Sequence, residues 1–306
     1  MKISVVLCTY NSGKFIQEQL ESILNQSYKI DEIIIQDDCS NDETLSIISD
    51  INKKYNKNII IEVNTINKGY IKNFDYALQR CQGDIIFFSD HDDFWHVNKV
   101  FEIMQYFKKN KDALMVFSDG LLMNEFSEIS EETLWNKFSF NEIERLKFDK
   151  APFLYLQRND VVTGATVAIR RSLIKHILPF PSNYIHDTWM ALIASSVDGL
   201  FYINKKLINY RIHMGQQIGL NENKPNFLGN NYEKVLDKID ILLDRLDDTN
   251  SYKWILYEKR KFYSDRDNYS PNFILKFYQI LKNRKLYKLY AHGYFSIIKD
   301  YIWRGR

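Results

Sequence analysis

The sequence predicts an α/β fold whose N-terminal part is a nucleotide-binding type of strand–helix half and whose C-terminal part is helical. Three observations carry this. Short β-rich apolar runs alternate with segments of helical periodicity over residues 1–90, two of those runs end in paired carboxylates, and from about residue 226 the pattern is helical alone. The expected division is therefore a catalytic-type α/β domain over 1–225 and a basic, aromatic helical region over 226–306.

Ile3–Leu7 is the first apolar β run, and Thr9-Tyr10-Asn11-Ser12-Gly13 is the polar loop after it. Ile16, Leu20, Ile23 and Leu24 then recur at helical spacing. Ile33–Ile35 is a second strand that ends in Asp37-Asp38-Cys39-Ser40, and Ser40 with Glu43 has the spacing of a capping box for the next helix. Ile59–Ile61 with Val63 is a third strand, Asn67-Lys68-Gly69 a turn, and Ile71, Phe74, Leu78 and Cys81 a further helical face. The fourth strand, Asp84–Ser89, runs into Asp90-His91-Asp92-Asp93. Alternation with connections of this length implies parallel strands and right-handed crossovers.

Carboxylates at the C-terminal ends of such strands lie where open α/β sheets bind ligands. Asp37 and Asp38 have the chemistry to accept hydrogen bonds from a base or ribose. The second acidic set suits a hard divalent cation such as Mg²⁺, which is held by one or two carboxylates together with phosphate oxygens. A solvated acidic turn, and helix-dipole or turn stabilisation by Asp37 and Asp38, are the competing structural readings.

Farther along, Leu114–Phe117 reads as a strand, and 119–150 as a long excursion beside a binding site. Val161–Ile169 is β-like around Gly164, where a backbone approaches a ligand or a bulge forms. His186-Asp187-Thr188-Trp189 opens a helical face, with an acid in the position of a cap. Leu207–His213 alternates as a strand with Asn209, Arg211 and His213 on one face, then enters the polar loop Met214–Gly219. Arg211 has the chemistry to bind phosphate and His213 to ligate a metal.

The bulk properties fit these elements. With 306 residues, 45% hydrophobic, the chain has material for one large or two moderate domains. A net charge of +2 gives no overall pull toward nucleic acid, and no recognition motif accompanies the basic residues. The charge is uneven: residues 253–306 carry 13 Lys and Arg against 4 Asp and Glu. Cys8, Cys39 and Cys81 lack metal-site spacing and are expected to be reduced and structural. The N-terminus enters a strand without a signal-peptide pattern, and no apolar run approaches membrane-spanning length, so the expected location is cytoplasmic. Phe273, Phe277, Tyr278, Tyr287, Tyr290, Tyr294, Phe295, Tyr301 and Trp303, set among Lys and Arg, suggest a contact of 272–303 with the inner face of an anionic membrane. Packing of that aromatic face on the rest of the chain or on another subunit is the alternative.

Cys8-Thr9-Tyr10-Asn11, Asp37-Asp38-Cys39-Ser40, Asn67-Lys68-Gly69, Asp90-His91-Asp92-Asp93 and His186-Asp187-Thr188-Trp189, in this order, resemble family 2 glycosyltransferases of the GT-A fold, a Rossmann-like mixed sheet. The resemblance covers about residues 1–220. The forms of Ser89–Trp95, His186–Ala191 and Tyr210–Gly219 are most similar to bacterial rhamnosyltransferase-like enzymes of surface polysaccharides.

The resemblance implies inverting transfer of a sugar from a nucleoside-diphosphate donor, a UDP- or dTDP-sugar with rhamnose among the candidates, to a glycan or lipid-linked acceptor. It implies that Thr9, Tyr10, Asn11, Asp37, Asp38, Lys68, Gly69, Asp90 and Arg211 hold the nucleotide sugar. Asp90, Asp92 and His213 would hold Mg²⁺ or Mn²⁺, with Asp93 as a further contact. Asp187 matches the base, with Gly164, His186 and Trp189 on the acceptor side. Position 39 is Cys where Gly is common in that family, and position 186 is His where Glu is common. A non-catalytic nucleotide-sugar-binding or scaffold subunit is the competing class, although such a module needs no base. A nucleotidyltransferase would show a phosphate loop richer in Gly than Thr9–Gly13.

Overall fold

The computed structural model describes residues 1–55, 57–216, 232–270, 272–291 and 293–303. Strands β1 (Ile3–Thr9) and β2 (Glu32–Asp37) are joined by α1 (Ile16–Leu24); α2 (Thr44–Tyr55) leads to β3 (Ile59–Val63), and α3 (Tyr70–Arg80) to β4 (Ile85–Ser89). Next come β5 (Phe94–Trp95), α4 (Lys99–Lys109), β6 (Met115–Asn124), β7 (Ile129–Thr133), α5 (Leu134–Lys137), α6 (Glu142–Lys150) and α7 (Pro152–Leu156). They are followed by β8 (Ala168–Arg170), α8 (Ile174–Ile177), α9 (His186–Ser195) and β9 (Leu200–Ile212). The C-terminal helices are α10 (Tyr232–Arg245), α11 (Lys253–Asp267), α12 (Phe273–Lys282), α13 (Arg284–Tyr290) and α14 (Tyr294–Trp303).

Among the described residues the strands form one mixed sheet in the order β3-β2-β1-β4-β8-β6-β9-β5, with β7 paired to β6. The first four strands are mutually parallel, as the alternating pattern requires. β8 runs antiparallel to both β4 and β6, and β9 parallel to β6, which makes the sheet mixed. Every residue of β1, β2 and β4 is buried, so these strands read as continuous apolar runs closed in by helices. Register aligns Thr9 with Asp37 and Leu7 with Ser89, and so brings the loops after β1, β2 and β4 to one sheet edge. β5 pairs Phe94 with Asn209, which brings the end of β9 to the acidic loop.

Three local expectations change. The Ser40 hydroxyl donates to Asp37 and does not cap α2; the Asp42 carboxylate accepts from the Thr44 N–H at 3.0 Å instead. Only Ala168 and Ile169 of the β-like 161–169 stretch are strand, in β8, because Gly164–Thr166 turns as a 3-10 helix in which the Val167 N–H donates to the Gly164 carbonyl. Residues 119–150 are not an excursion: β6 continues to Asn124, and β7, α5 and α6 occupy much of the remainder. Cys8 and Cys81 are buried and Cys39 is partly exposed, all as free thiols.

By its internal contacts the chain forms two compact units, Met1–Arg145 with Val161–Lys224, and Leu146–Asp160 with Pro225–Arg306. Residues 146–160 thus group with the C-terminal helices. In this second unit Asp300, fully buried, accepts both Arg266 Nε (2.7 Å) and Nη2 (2.9 Å) and the hydroxyls of Tyr232 and Tyr287. A buried ion pair with its remaining lone pairs satisfied is the arrangement that such burial demands. Tyr287 and Tyr290, expected on a membrane face, point inward: the Tyr290 hydroxyl donates to Glu258 at 2.6 Å. The side chains of Phe273, Tyr294, Phe295 and Trp303 lie outside the described residues. Among the described residues no helix is long and apolar enough to cross a membrane.

Candidate active site

Asp37 and Asp38 end β2 back to back, and each ties loops together. Asp37, fully buried, accepts the Thr9 hydroxyl at 2.7 Å and the Ser40 N–H at 2.8 Å. The pairing of Thr9 with Asp37 fixes the loop and directs neither side chain outward. Asp38 accepts Asn64 Nδ2 at 2.7 Å and the backbone N–H groups of Lys68 and Gly69, both at 2.8 Å. It therefore holds the 67–69 turn against the sheet edge. Gly69 has φ +82, which an L side chain rarely adopts. Asn11 Oδ1 accepts the Asn41 N–H at 3.0 Å, so this residue links the loops after β1 and β2. Cys39 has φ +67, which accounts for the Gly common at this position in the family that the sequence resembles. Tyr10 stays partly exposed and Lys68 exposed, the latter with its ammonium 4.9 Å from the Tyr76 ring centroid.

The acidic loop after β4 divides by exposure. Asp93 is sealed: one carboxylate oxygen accepts the Arg211 N–H at 3.0 Å, and the other has no partner among the described residues. Burial, then Asp92 and Asp90, push its carboxyl well above the usual range. Asp92 is also buried, and burial alone would raise it. His91 and the hydrogen bond from His213 outweigh that and hold it below the usual carboxylate range. His213 Nε2 lies 2.8 Å from Asp92 Oδ2, and Nδ1 accepts the Gly215 N–H at 3.2 Å, so Nε2 carries the proton that Asp92 accepts. Asp90 keeps an exposed edge. Burial and the charges of Asp92 and Asp187 push it up to about 7, against the pull of Lys99.

Crowded carboxylates with hard oxygen donors and one imidazole fit a divalent cation. Among the described residues no three His, Cys, Asp or Glu converge closely enough to hold an ion alone. The fit is that of a site which phosphate oxygens complete, with Asp90 and Asp92 as the protein's share; His213 Nε2 donates to Asp92 and joins them only by giving up that proton and hydrogen bond.

Asp187 stands at the first turn of α9, where the helix's positive end favours an anion. The Gly164 N–H donates to its Oδ2 at 2.9 Å and the Thr188 N–H to its Oδ1 at 2.6 Å. Burial pushes its carboxyl up to about 6, and these backbone donors limit the rise. It too keeps an exposed edge. A general base needs a pKa near the working pH and a face open to the proton it takes, and Asp187 has both.

Three residues expected to contact ligand are buried instead. The Arg211 guanidinium is fully buried and donates from Nε to the Asp92 carbonyl (2.6 Å) and from Nη1 to the Asn124 carbonyl (3.2 Å) and Ser127 Oγ (2.9 Å). Nη2 pairs with Glu18, and the group lies 4.6 Å from the Phe15 ring centroid. It positions the acidic loop and presents no donor to a diphosphate. His186 is only 5% exposed, stacked on Phe74 at 4.3 Å and flanked by Phe88 and Tyr70, with neither ring nitrogen partnered among the described residues. Burial lowers it to about 3, so it is neutral and inside the core, not at an acceptor. Trp189 is fully buried, and its Nε1 donates to the Ile177 carbonyl at 2.9 Å.

Two site neighbours have little signal in the sequence. Lys99 is fully buried, donates to the Ala165 carbonyl at 2.6 Å and lies 3.7 Å from the Trp95 ring centroid. It links the acidic loop to the turn whose Gly164 holds Asp187. The one available signal was a lysine in register with the apolar face formed by Val100, Ile103 and Phe107. Tyr70 lies near enough to Asp187 for that charge to raise its hydroxyl, second to burial.

Gly164 admits no side chain. A Cβ there would lie 2.7 Å from His186 Nε2 and 3.5 Å from Asp187 Oδ2. Gly164→Ala is expected to cost about 1–3 kcal/mol of stability, the usual range for overpacking, and to lower turnover by displacing Asp187. A native melting temperature together with native turnover would show that the contact relaxes freely. Two surface hollows, about 700 Å³ beside Asp240 and Tyr257 and about 470 Å³ beside His96 and Asn204, contain none of these carboxylates.

A family model described as glycosyl transferase family 2 matches residues 4–178. An uncharacterized glycosyltransferase of Haemophilus influenzae is 27% identical over 297 residues, 90% of this chain and 90% of that protein. The poly(ribitol-phosphate) beta-N-acetylglucosaminyltransferase TarS of Staphylococcus aureus is 37% identical over 102 residues, which are 32% of this chain but 17% of TarS. Its 1–349 segment in complex with UDP-GlcNAc superposes with TM-score 0.62 at 17% identity, covering 98% of this chain and 89% of that one. The mannosyltransferase PcManGT of Pyrobaculum calidifontis, in complex with GDP-Man and Mn²⁺, superposes with TM-score 0.54 at 13% identity, covering 100% and 88%. At these identities the structural likeness is one of fold, and the fold is GT-A.

Proposed function

This chain belongs to glycosyl transferase family 2, and we propose that it catalyses inverting transfer from a UDP- or dTDP-sugar to a hydroxyl of a glycan or lipid-linked acceptor in bacterial surface-polysaccharide synthesis. The observation that carries the reading is Asp187, a raised, partly exposed carboxylate at a helix start, close enough to the acidic loop for its charge to reach Asp90. A binding or scaffold module has no use for such a base. A hydroxyl of a polymeric acceptor is supported by TarS, whose name places its sugar on poly(ribitol phosphate).

In this reading Tyr10, Lys68 and Gly69 line the nucleotide pocket, with Thr9, Asn11, Asp37 and the buried Asp38 holding its loops. Asp90 and Asp92, with His213 bonded to Asp92, hold the metal and diphosphate end. A bound Mg²⁺ or Mn²⁺ supplies Lewis-acid stabilisation of the charge on the departing diphosphate. Asp187 takes the proton of the acceptor hydroxyl as its oxygen attacks the anomeric carbon, and the bond from that carbon to the diphosphate oxygen breaks with its electron pair on the diphosphate. Attack from the face opposite the leaving group inverts the anomeric centre. Gly164 and Thr188 hold the base still, and neutral His186 beneath it adds no competing charge.

The pH profile tests this. Asp187 acts only when ionised, so turnover should rise with pH through about 6 and then level off. The measurement is kcat from about pH 5 to about pH 8 with donor and acceptor saturating. A profile flat across that range would remove Asp187 from the proton transfer.

A further inference from the structure

We propose that helix α12 is a docking face for an anionic lipid surface. The helix is inverted relative to an ordinary surface helix. Lys276 and Ile280 are buried, whereas Ile274 (77% exposed), Leu275 (57%), Phe277 (48%), Tyr278 (68%) and Leu281 (47%) face outward. Positions 274, 277, 278 and 281 follow the helical repeat, so these side chains form one continuous stripe. Soluble surfaces rarely leave a contiguous apolar patch of this kind uncovered.

The charge around the stripe selects its partner. Residues 272–290 hold five basic residues and no acidic one, and Lys282, Arg284, Lys285 and Lys288 are exposed. An apolar stripe beside cations suits insertion into the boundary between headgroups and acyl chains, with the cations on anionic headgroups and the Tyr278 hydroxyl at the interface. A second copy of this chain is a poor occupant, because a two-fold contact through the face would set its cations against the same cations. The docking elements differ from those expected from sequence: the apolar contact is aliphatic as much as aromatic, and Tyr287 and Tyr290 take no part. The inference goes beyond the catalytic reading and stands without it.

The test is co-sedimentation of the full chain with vesicles. Phosphatidylcholine vesicles containing about one third phosphatidylglycerol should pellet the protein at low salt, and pure phosphatidylcholine vesicles should pellet much less. Raising the salt to about 0.5 M should release it, as screening of exposed charges requires. Leu275→Ser with Leu281→Ser, and separately Arg284→Glu with Lys285→Glu, should each lower the bound fraction about tenfold. All four positions are exposed, so native melting curves and unchanged donor turnover are expected alongside. That turnover separates failure of docking from failure of the catalytic reading. Binding of either double variant equal to the parent's, or no binding of the parent to anionic vesicles, overturns the proposal. So does a dimer in light scattering that the Leu275→Ser, Leu281→Ser variant dissolves, since the face would then belong to a second copy.

Discussion

Asp187→Asn is expected to lower kcat by about 10²–10⁴-fold, the usual contribution of a positioned general base, while donor affinity stays near that of the parent. The substitution is close to isosteric. One of the two backbone donors, from Gly164 and Thr188, can still bond the amide oxygen, so α9 and its first turn persist. What disappears is the acceptor of the proton. Neither neighbour can replace it: His186 is buried with a pKa lowered to about 3, and the Tyr70 hydroxyl is raised above its ordinary value. Calorimetric titration with donor, paired with turnover, separates the two effects. Near-native kcat with native donor binding would show that another group takes the proton.

Asp92→Ala is the second large effect. Asp92 is held ionised below the usual carboxylate range by His91 and His213 despite its burial, so it offers a charged oxygen across the whole working pH range. Removing it also frees the His213 ring, now fixed by Asp92 at 2.8 Å and by the Gly215 N–H. Loss of a group that orients a metal ligand typically costs 10–100-fold in metal affinity, and loss of a ligand at least about 100-fold. Turnover measured against Mn²⁺ concentration should therefore shift to far higher metal or lose its metal response. An unchanged response curve would take Asp92 out of the metal site.

How far the sequence carried depends on which physical signal each part leaves. The parallel half was legible because β1, β2 and β4 are buried on both faces and so are written as unbroken apolar runs. Their acidic ends were legible as carboxylates after such runs, but not that Asp37 and Asp38 give their oxygens to donors from neighbouring loops, as the turn-stabilising alternative has it. Asp187 was legible as an acid at a helix start. The 161–169 stretch misleads because its β-branched residues, Val161, Val162, Thr163, Thr166, Val167 and Ile169, lie in and around a Gly164–Thr166 turn that is a 3-10 helix ending one residue short of the strand. Arg211 shows the limit of alternation: period two gives a residue's face, not whether Glu18, Asn124 and Ser127 already surround it. His186 and Trp189 belong to the same class, since Phe74, which stacks on His186, lies far off in the chain and Ile177, whose carbonyl accepts from Trp189, lies in the preceding helix α8. Lys99 was hidden because a lysine on an apolar helical face is normally read as solvated, and only tertiary contacts reveal its burial.

The central claim is that Asp187 and the acidic loop together make this chain a metal-assisted sugar transferase, and one measurement addresses it most directly. The parent chain is incubated with a panel of nucleotide sugars together with glycan and lipid-linked hydroxyl acceptors, with Mn²⁺ or with chelator, and release of nucleoside diphosphate is recorded. The account predicts that at least one UDP- or dTDP-sugar is turned over with Mn²⁺ and not with chelator. Binding of a nucleotide sugar, seen as a rise in melting temperature, with no release of diphosphate under any metal condition would contradict it and identify a binding module.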